Sequence, residues 1–578
     1  MRALYQFCFA VFFVLIAASS ASADVFASRI MLTNPDGKTF DGNFKDGTTA
    51  LISYVLNDTA TSVSVKVLDV SNGATAATIN ATNQGRGPHA VAWDGSGSAN
   101  GKKYYISITA TQPRYSSTSY TNFFFLATSL SGKNIFTRGV DAQRDQKSRG
   151  FGYLYATNSD QTTNTRLRTG ILRFTSDCSY AGTVDGDPML TSTLGLTHPG
   201  GVFDWGATLS PWYATLDSKG RIYASGNGTG FIYRTNNDSA TPKIIVRGLF
   251  APRGIATFGS GASFKLYIAD DTVVVRANLG TSDTLSAKVE TVAVLSNYVR
   301  DVILDDAGHM IVGLRAGSAG GIGIAVERYN ISGTLPVHRN DAEWSVAFPS
   351  GNPIGLALKH GSNPNSAADD TLYVSMRGST STDTLNIGVF EIPAIDGFFP
   401  VSKQVFKPWT VAGSAGGNIS ANADLTLDYA GNIILFENGN EEIFMVSPPS
   451  STPTRSVTAQ GYDTTTVTVG LLSVGRGTLQ PSEFTVNQNY PNPFNPSTTI
   501  SYQMPSEGRV KVGVYDMLGR EVALLQDEEV ASGYHAVVWD AANNRGTRVA
   551  SGMYLYRITA QLRNGRTFVE TKRMSLVK

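Results

Sequence analysis

The sequence is poor in cysteine. It contains two, and Cys8 lies near the start of an apolar run at the N-terminus, so removal of that run leaves Cys178 alone. One cysteine excludes an intramolecular disulfide. Cys178 is therefore expected to be a small buried side chain rather than a catalytic thiol.

An excess of either charge is also missing. Lys and Arg total 47, and Asp and Glu total 46. A protein that neutralises a phosphate backbone needs clustered basic residues in excess. Nucleic acid is therefore not expected as a partner.

Signatures of enzymatic chemistry are scarce. The six histidines show no HExxH spacing, and the chain has no CxxC pair, no GxSxG and no Walker loop. This scarcity favours a non-enzymatic protein and leaves enzymatic activity undecided.

Long apolar runs are absent except at the N-terminus. Arg2 precedes an apolar run over residues 7–18, and Ala21-Ser22-Ala23 follows it. The run is shorter than the roughly 20 residues that a membrane-spanning helix needs. The pattern predicts a signal peptide over residues 1–23, cleaved after Ala23, and no integral membrane span in the mature chain.

Two segments near the ends of the chain resemble each other. Four matches keep their order and nearly the same spacing. They are Ile52-Ser53-Tyr54 with Ile500-Ser501-Tyr502, Val65–Asp69 with Val512–Asp516, His89–Asp94 with His535–Asp540, and Tyr105–Ala110 with Leu555–Ala560. Both copies alternate apolar and polar residues in short runs, which is typical of antiparallel sandwiches. We predict immunoglobulin-like domains over residues 24–128 and 484–578, with Trp93 and Trp539 pointing inward.

The second copy opens with a proline-rich motif. Its residues are Asn489, Tyr490, Pro491, Asn492, Pro493, Phe494, Asn495 and Pro496. With Leu518-Gly519-Arg520 and Lys572-Arg573-Met574, this motif resembles the type A C-terminal sorting domain of the type IX secretion system of Bacteroidetes. The resemblance implies export to the medium or the outer-membrane surface, with the secretion machinery as partner. The first copy resembles the immunoglobulin-like domain of flagellar hook-capping proteins.

The motif's three prolines fix backbone angles and remove hydrogen-bond donors. The opening segment is therefore expected to lie extended over the sandwich without joining a ladder.

The middle of the chain repeats a short strand-like core. The six cores are Gly152–Ala156, Arg221–Ala224, Lys265–Ala269, His309–Gly313, Thr371–Ser375 and Asn432–Phe436. Three follow a strand that ends in Asp and a turn that ends in Gly, at Asp217–Gly220, Asp305–Gly308 and Asp428–Gly431. Successive hairpins at this spacing predict a β-propeller over residues 129–450, with six blades and seven as the alternative. A linker over residues 451–483 is expected to separate it from the last domain.

The predicted fold is therefore all-β, a propeller flanked by two immunoglobulin-like sandwiches. The turn pattern resembles six-bladed propellers of the NHL, gluconolactonase and regucalcin type. That resemblance concerns architecture, because one fold hosts many activities.

Polar residues are predicted to gather at one mouth of the central channel. Starts of innermost strands and ends of second strands share that mouth. The first set is Arg253, Arg300, Asp301, Asn352 and Asp424, and the second is Asn158, Asn227, Asp270, Arg315, Arg377 and Glu437. Carboxylate and amide oxygens suit a divalent cation such as calcium, whereas arginine suits a carboxylate or a sugar acid. A channel entrance whose residues pair with one another is the structural alternative.

Two functions remain open at this stage. One is a secreted or surface-displayed propeller that binds a small polar, carbohydrate or protein ligand and has no certain cofactor. The other is a metal-dependent hydrolase or lyase that acts on sugar-derived or lactone substrates. No catalytic residue and no metal ligand set can be assigned from the sequence.

Overall fold

The structure is a computed structural model. It describes residues 24–34, 39–44, 49–113, 121–127, 137–148, 150–159, 170–183, 211–236, 242–281, 288–315, 324–348, 352–360, 370–377, 388–393, 403–406, 422–437, 442–448, 454–461, 463–468, 484–486, 488–489, 492, 494, 497–531, 533–563 and 565–577. The predicted signal peptide lies outside these residues. Among the helical segments in the described ranges, none has the length and apolar character to cross a bilayer.

The first six strands belong to an N-terminal sandwich. Their bounds are β1 (Ala27–Thr33), β2 (Ala50–Leu56), β3 (Ala60–Asp69), β4 (Thr75–Gln84), β5 (Gly87–Trp93) and β6 (Lys103–Pro113). One sheet has the order β1-β2-β5, and β6, β3 and β4 are neighbours in the other. Strand β3 places Val63, Val65 and Val67 in the core between the sheets, as its alternating sequence predicts.

The central region forms six blades around a channel. Strand β7 (Thr121–Ala127) precedes them in the chain. Blade 1 has β8 (Thr137–Ala142), β9 (Leu154–Asn158), β10 (Gly170–Phe174) and β11 (Tyr180–Thr183), and blade 2 has β12 (Tyr213–Leu216), β13 (Arg221–Gly226), β14 (Phe231–Asn236) and β15 (Lys243–Val246). Blade 3 has β16 (Pro252–Phe258), β17 (Lys265–Asp270), β18 (Val273–Asn278) and β19 (Val289–Val294), and blade 4 has β20 (Tyr298–Leu304), β21 (Met310–Arg315), β22 (Ile324–Tyr329) and β24 (Ala342–Phe348). Blade 5 has β25 (Asn352–Lys359), β26 (Thr371–Arg377), β27 (Gly388–Pro393) and β28 (Lys403–Phe406), and blade 6 has β29 (Asn422–Leu427), β30 (Ile433–Glu437) and β31 (Glu442–Ser447). Strand β23 (Val337–His338) pairs with β19, and short 3-10 turns span Gly261–Ser263 and Arg339–Asp341.

The innermost strands close a ring. Strands β8, β12, β16, β20, β25 and β29 each contact the next in this order, and β29 contacts β8. Strand β7 completes blade 6 as its outermost strand, because it pairs with β31. The prediction of six blades is confirmed, and all six sequence cores are second strands of blades.

One position of each second strand packs against the following blade. Tyr155 lies in a cluster with Leu216 and Ile222 of blade 2, and Tyr373 lies in a cluster with Leu427 and Ile433 of blade 6. The equivalent residues between the other blades are Tyr223, Tyr267, Ile311 and Ile434. Each is nearly or fully buried, and burial of a large side chain contributes roughly 1.5–3 kcal/mol. The repeated tyrosine therefore joins blades as well as marking strands.

The predicted linker differs from the structure. Strands β32 (Thr454–Gln460) and β33 (Thr465–Thr466) pair with β6, so the chain returns to the N-terminal sandwich after the propeller. Strand β7, expected in that sandwich, belongs to blade 6. Apolar residues of β32 contribute to the sandwich core, since Ala459 is fully buried there. The alternation in 454–460 is weak, and Ser/Thr-rich composition made this strand look like a linker.

The N-terminal sandwich rests on the end of the propeller that carries the turns between first and second strands. The backbone N–H of Asp24 donates to the side-chain oxygen of Asn432 at 2.8 Å. The hydroxyl groups of Ser28 and Ser176 lie 2.7 Å apart, and Arg29 stacks over the ring of Tyr153. These contacts involve blades 1 and 6.

The C-terminal sandwich repeats the strand order of the first. Its strands are β34 (Thr485–Val486), β35 (Thr498–Met504), β36 (Gly508–Tyr515), β37 (Glu521–Val530), β38 (Gly533–Trp539), β39 (Gly552–Leu562) and β40 (Thr567–Leu576). The sheet β37-β36-β39-β40 matches β4-β3-β6-β32, so β40 and β32 are equivalent strands. Trp93 and Trp539 are buried as predicted, and their indole N–H groups donate to the carbonyl oxygens of Ser96 and Ala542.

The proline-rich opening segment lies on this last domain. Phe494 is buried beside Trp539, and the side-chain amide of Asn489 donates to the Thr498 hydroxyl at 2.9 Å. The expectation that the segment joins no ladder fails at Phe494, which pairs with Leu576 of β40 and, unlike proline, has an N–H, which it donates to the carbonyl oxygen of Ser575. Asn492 accepts a hydrogen bond from the N–H of Ser575. Tyr490, Pro491, Pro493, Asn495 and Pro496 lie outside the described residues.

The position of β32 predicts the effect of substitution at Ala459. We expect Ala459→Glu to destabilise the N-terminal sandwich by about 2–5 kcal/mol, because a carboxylate enters an apolar core. Thr454→Glu, on an exposed position of the same strand, should leave stability nearly unchanged. Chemical unfolding and protease cleavage within residues 24–113 measure the difference. Equal stability of the two variants would mean that 454–460 is a free linker.

Candidate functional site

One mouth of the channel is built from bulged strand starts. Register shifts occur near the start of five innermost strands, at Thr137/Val140, Pro252/Ile255, Val299/Asp301, Pro353/Gly355 and Asn422/Leu425. A bulge re-aims the side chains beside it and is common next to functional sites. Three arginines lie within these bulges, namely Arg138, Arg253 and Arg300. Ile354 and Asp424 lie within the other two. The bulges therefore set which side chains reach the mouth.

Five arginines occupy this mouth. Arg138, Arg253 and Arg300 come from innermost strands, and Arg315 and Arg377 end second strands. The last two pair with Tyr298 and Asn352, which start the innermost strands β20 and β25. Arginine side chains from blades 1, 3, 4 and 5 therefore meet at one end of the channel.

Burial and neighbouring positive charges lower the pKa of two of these arginines. Burial, followed by the charges of Arg253, Arg315, Arg138 and Arg377, lowers the pKa of Arg300 to about 9. Burial and the nearby Arg377 lower the pKa of Arg138 to about 10. Both groups still carry a positive charge near neutral pH, so the mouth concentrates charge of one sign.

Aromatic rings support two of the guanidinium groups. Arg138 stacks on Trp212 at 4.7 Å, and Arg253 stacks on Tyr298 at 5.5 Å. Arg253 also lies 3.6 Å from a carboxylate oxygen of Asp271. Stacking orients a guanidinium group through its face and leaves its N–H edge able to donate.

Other predicted mouth residues have structural partners. The carboxylate of Asp270 accepts hydrogen bonds from the backbone N–H groups of Phe250 and Ala251. Asn227 donates to the carbonyl oxygen of Pro252 at 3.4 Å. These contacts fix the loop that leads into β16. The side chain of Glu437 lies outside the described part of the structure.

Asp301 and Asp424 lie inside the channel wall and are fully buried. Asp301 accepts hydrogen bonds from the N–H of Leu356 in the next blade at 2.8 Å and from the Tyr213 hydroxyl at 3.0 Å. Asp424 accepts the N–H of Val140 at 2.8 Å, across the seam between blades 6 and 1. These carboxylates join neighbouring blades.

The space around these two carboxylates is filled by backbone. A Cβ atom on Gly254 would meet a carboxylate oxygen of Asp301 at 2.3 Å, and one on Gly355 would meet Asp424 at 1.8 Å. The cation role considered for Asp301 and Asp424 therefore has little support in this geometry. Their tight contact with backbone favours the structural alternative.

Burial also controls the charge of these groups. Burial raises the pKa of Asp301 to about 7, and burial and the charge of Asp301 raise the pKa of Asp424. Each carboxyl group is therefore more readily protonated than an exposed aspartate. The wall of the channel supplies less negative charge than its sequence indicates.

The opposite end of the channel contains a cavity of about 150 Å³. All six innermost strands line it, and Asp141, Arg144, Thr426 and His360 supply polar groups. Asp141 accepts hydrogen bonds from the N–H of Leu216 and the hydroxyl of Thr426, so it joins three blades, as Asp301 does through Leu356 and Tyr213. At the same end, Asp306, His360 and Asp370 each place one ligand atom within 4.8 Å of the others.

Three further residues of the channel, Arg138, Asp141 and Tyr213, were not predicted from the sequence. A signal for Arg138 was present, because Arg138-Gly139 repeats Arg253-Gly254 at the equivalent strand start. Gly139 has no room for a Cβ, which would lie 2.7 Å from the Cα of Tyr213. No comparable signal marks Tyr213, whose hydroxyl reaches Asp301 of a distant blade.

Comparisons with known proteins support the two sandwiches. The family model of the FlgD Ig-like domain matches residues 37–114 and 494–564. No curated protein matches the chain. The match confirms the immunoglobulin-like type of both end domains, whereas the finer assignment of the last one to the sorting family stays a prediction.

Solved structures resemble the chain at low identity. PorZ, a surface component of the type IX secretion system of Porphyromonas gingivalis, is 13% identical, with 92% of this chain and 64% of that chain covered and a TM-score of 0.30. A Trichoderma reesei carbohydrate-active enzyme of family AA12 is 10% identical, with 59% and 99% covered and a TM-score of 0.34. A glucose dehydrogenase is 11% identical, with 57% and 100% covered and a TM-score of 0.37. Likeness at this level carries no functional argument.

The raised pKa of Asp301 predicts how stability depends on pH. Between about pH 4, the ordinary value for an aspartate, and about pH 7, the folded protein holds a proton that the unfolded chain has released. Stability should therefore fall as pH rises through this range. Asp301→Asn, which stays neutral, should flatten the fall, whereas Asp94→Asn in an exposed turn should not. Thermal midpoints measured between pH 4 and 8 give the fall in stability with pH. An equally steep fall in Asp301→Asn would contradict a raised pKa for Asp301.

Proposed function

We propose that the protein is exported through the type IX secretion system and presents its propeller as a binding module. The product is secreted into the medium or held at the outer-membrane surface. Its partners are the secretion machinery and a polar, carbohydrate or protein ligand. The arginine-lined mouth is the proposed binding surface.

The C-terminal sandwich carries the export part of this proposal. It has a core of its own, formed by residues that include Trp539, Tyr502 and Tyr556. Phe494 of the motif is buried in that core, and its backbone bonds to both Ser575 and Val577 of the C-terminal segment. A domain with its own core, into which Phe494 of the motif is packed, suits recognition by export machinery.

The orientation of the propeller supports the binding part. The N-terminal sandwich contacts the turns at the opposite end from the arginines, through Asn432, Tyr153 and Ser176. The arginine-lined mouth is therefore not the face that this sandwich covers.

The hydrolase alternative is favoured by a single observation, the group formed by Asp306, His360 and Asp370. Carboxylate oxygens and imidazole nitrogen are ligands for divalent metals. His360 also lines the cavity and lies 2.6 Å from Asp306.

Elemental analysis of purified protein decides between the two functions. A metal retained through dialysis and lost in His360→Ala would favour the hydrolase, whereas a protein that retains no metal would count against it.

Removal of residues 484–578 tests export. We expect the shortened protein to accumulate in the periplasm with its propeller folded, because the last domain has a separate core. Surface labelling of intact cells and immunoblots of cell fractions give the readout. Surface appearance of the shortened protein would contradict the proposal.

A point substitution refines this test. Phe494→Ser should release the proline-rich segment and lower export, since loss of a buried phenylalanine costs about 3–5 kcal/mol. The matched control is Val569→Ser, because Val569 is 59% exposed on strand β40 of the same domain and belongs to none of the residues that carry the sorting-domain resemblance. Equal export of both variants would show that the packed segment is not what the machinery recognises.

A further inference from the structure

The burial and clustering of arginines at the channel mouth cost free energy of folding. A guanidinium group that loses water without gaining an acceptor is destabilising, and like charges close together add repulsion. Within the residues that the structure describes, the buried Nε atoms of Arg253 and Arg300 have no hydrogen-bond partner. Donors of this kind indicate that the site is completed by an acceptor that the described residues do not supply.

The described carboxylates nearby leave the Nε donors of Arg253 and Arg300 without an acceptor. Asp271 lies beside Arg253, at 3.6 Å, too far for a direct hydrogen bond. Asp270 is already occupied by the N–H groups of Phe250 and Ala251. Asp301 directs its oxygens to Leu356, Val302 and Tyr213.

The bonding geometry of arginine narrows the chemistry of the acceptor. A guanidinium group presents planar pairs of N–H donors that match the two oxygens of a carboxylate, sulfate or phosphate. Arginines from four blades converge, so a single small anion with one charge would leave most of them uncompensated. A ligand with several anionic groups fits the site better.

We propose that the channel mouth binds a ligand bearing two or more oxyanion groups, held by Arg253 and Arg300 with Arg138, Arg315 and Arg377 around them. The inference rests on the proposed role of this mouth as the binding surface and adds the chemical class of the ligand. Carboxylate, sulfate and phosphate share the required chemistry. The choice among them is made by the experiment.

Binding of three probes to the purified full chain tests the inference. Citrate, inorganic pyrophosphate and a sulfated oligosaccharide represent the three oxyanions, and calorimetry gives their affinities. We expect at least one probe to bind, with affinity at least tenfold weaker in Arg300→Gln and in Arg253→Gln. Lys219→Gln is the control, because it removes one exposed positive charge from a turn at the other end of the propeller.

Stability without ligand gives a second readout. Since Arg300 is repelled by its neighbours, Arg300→Gln should raise the thermal midpoint of the unliganded protein, and the bound probe should raise that of the unmodified protein. A lower midpoint in Arg300→Gln would overturn the argument from repulsion. A variant that merely misfolds would also show this fall, and Arg253→Gln then provides the independent binding test.

Failure of this inference can be separated from failure of the export proposal. If none of the probes binds, or if binding is equal in the arginine variants and the control, the oxyanion inference is wrong even when export proceeds as proposed. If the protein lacking residues 484–578 still reaches the surface, the export proposal is wrong, whatever the purified protein binds.

Discussion

The whole assembly depends on closure of the ring between blades 6 and 1. Ile434 and Phe436 of blade 6 pack with Val140 and Leu154 of blade 1, and Asp424 accepts the N–H of Val140 across the same seam. Strand β7 supplies the outer edge of blade 6 from the other end of the propeller sequence. Apolar packing, a buried hydrogen bond and the pairing of β7 with β31 therefore stabilise this seam. Each of them joins residues that are hundreds of positions apart in the chain.

The same seam explains why the propeller can be inserted into a sandwich. Pro113 pairs with Thr454 in the sandwich, and Thr121 pairs with Ser447 in blade 6, so the chain enters and leaves the propeller side by side. In the C-terminal sandwich the equivalent strands β39 and β40 are joined by a short turn. The N-terminal copy is thus the same sandwich with its last hairpin opened, and residues 114–453 lie within that opening.

Sequence reasoning was accurate where a residue acts through its neighbours in the chain. Alternation in β3 and the Asp217–Gly220 turn predicted local structure, because Asp217 bonds the N–H groups of Lys219 and Arg221 and Gly220 has a positive φ of 75°. It failed where pairing is distant. Nothing within residues 454–460 reveals that β6 is their partner, and nothing local to Asp301 reveals the N–H of Leu356. The sequence therefore placed the aspartates and the arginines of the channel in one predicted site. In the structure the aspartates join blades, and the arginines converge at the mouth.

This division of charge follows from how far each side chain reaches. An aspartate on a closely packed innermost strand stays within the channel wall, where backbone N–H groups of neighbouring strands, hydroxyl groups such as that of Tyr213, and burial determine its protonation. An arginine at a bulged strand start is long enough to leave the wall, and aromatic rings such as Tyr298 support it there. The short acidic side chains can therefore join blades, while the long basic ones reach the mouth. Because the N-terminal sandwich contacts blades 1 and 6 at the opposite end, insertion of the propeller into that sandwich also fixes which way the arginines face.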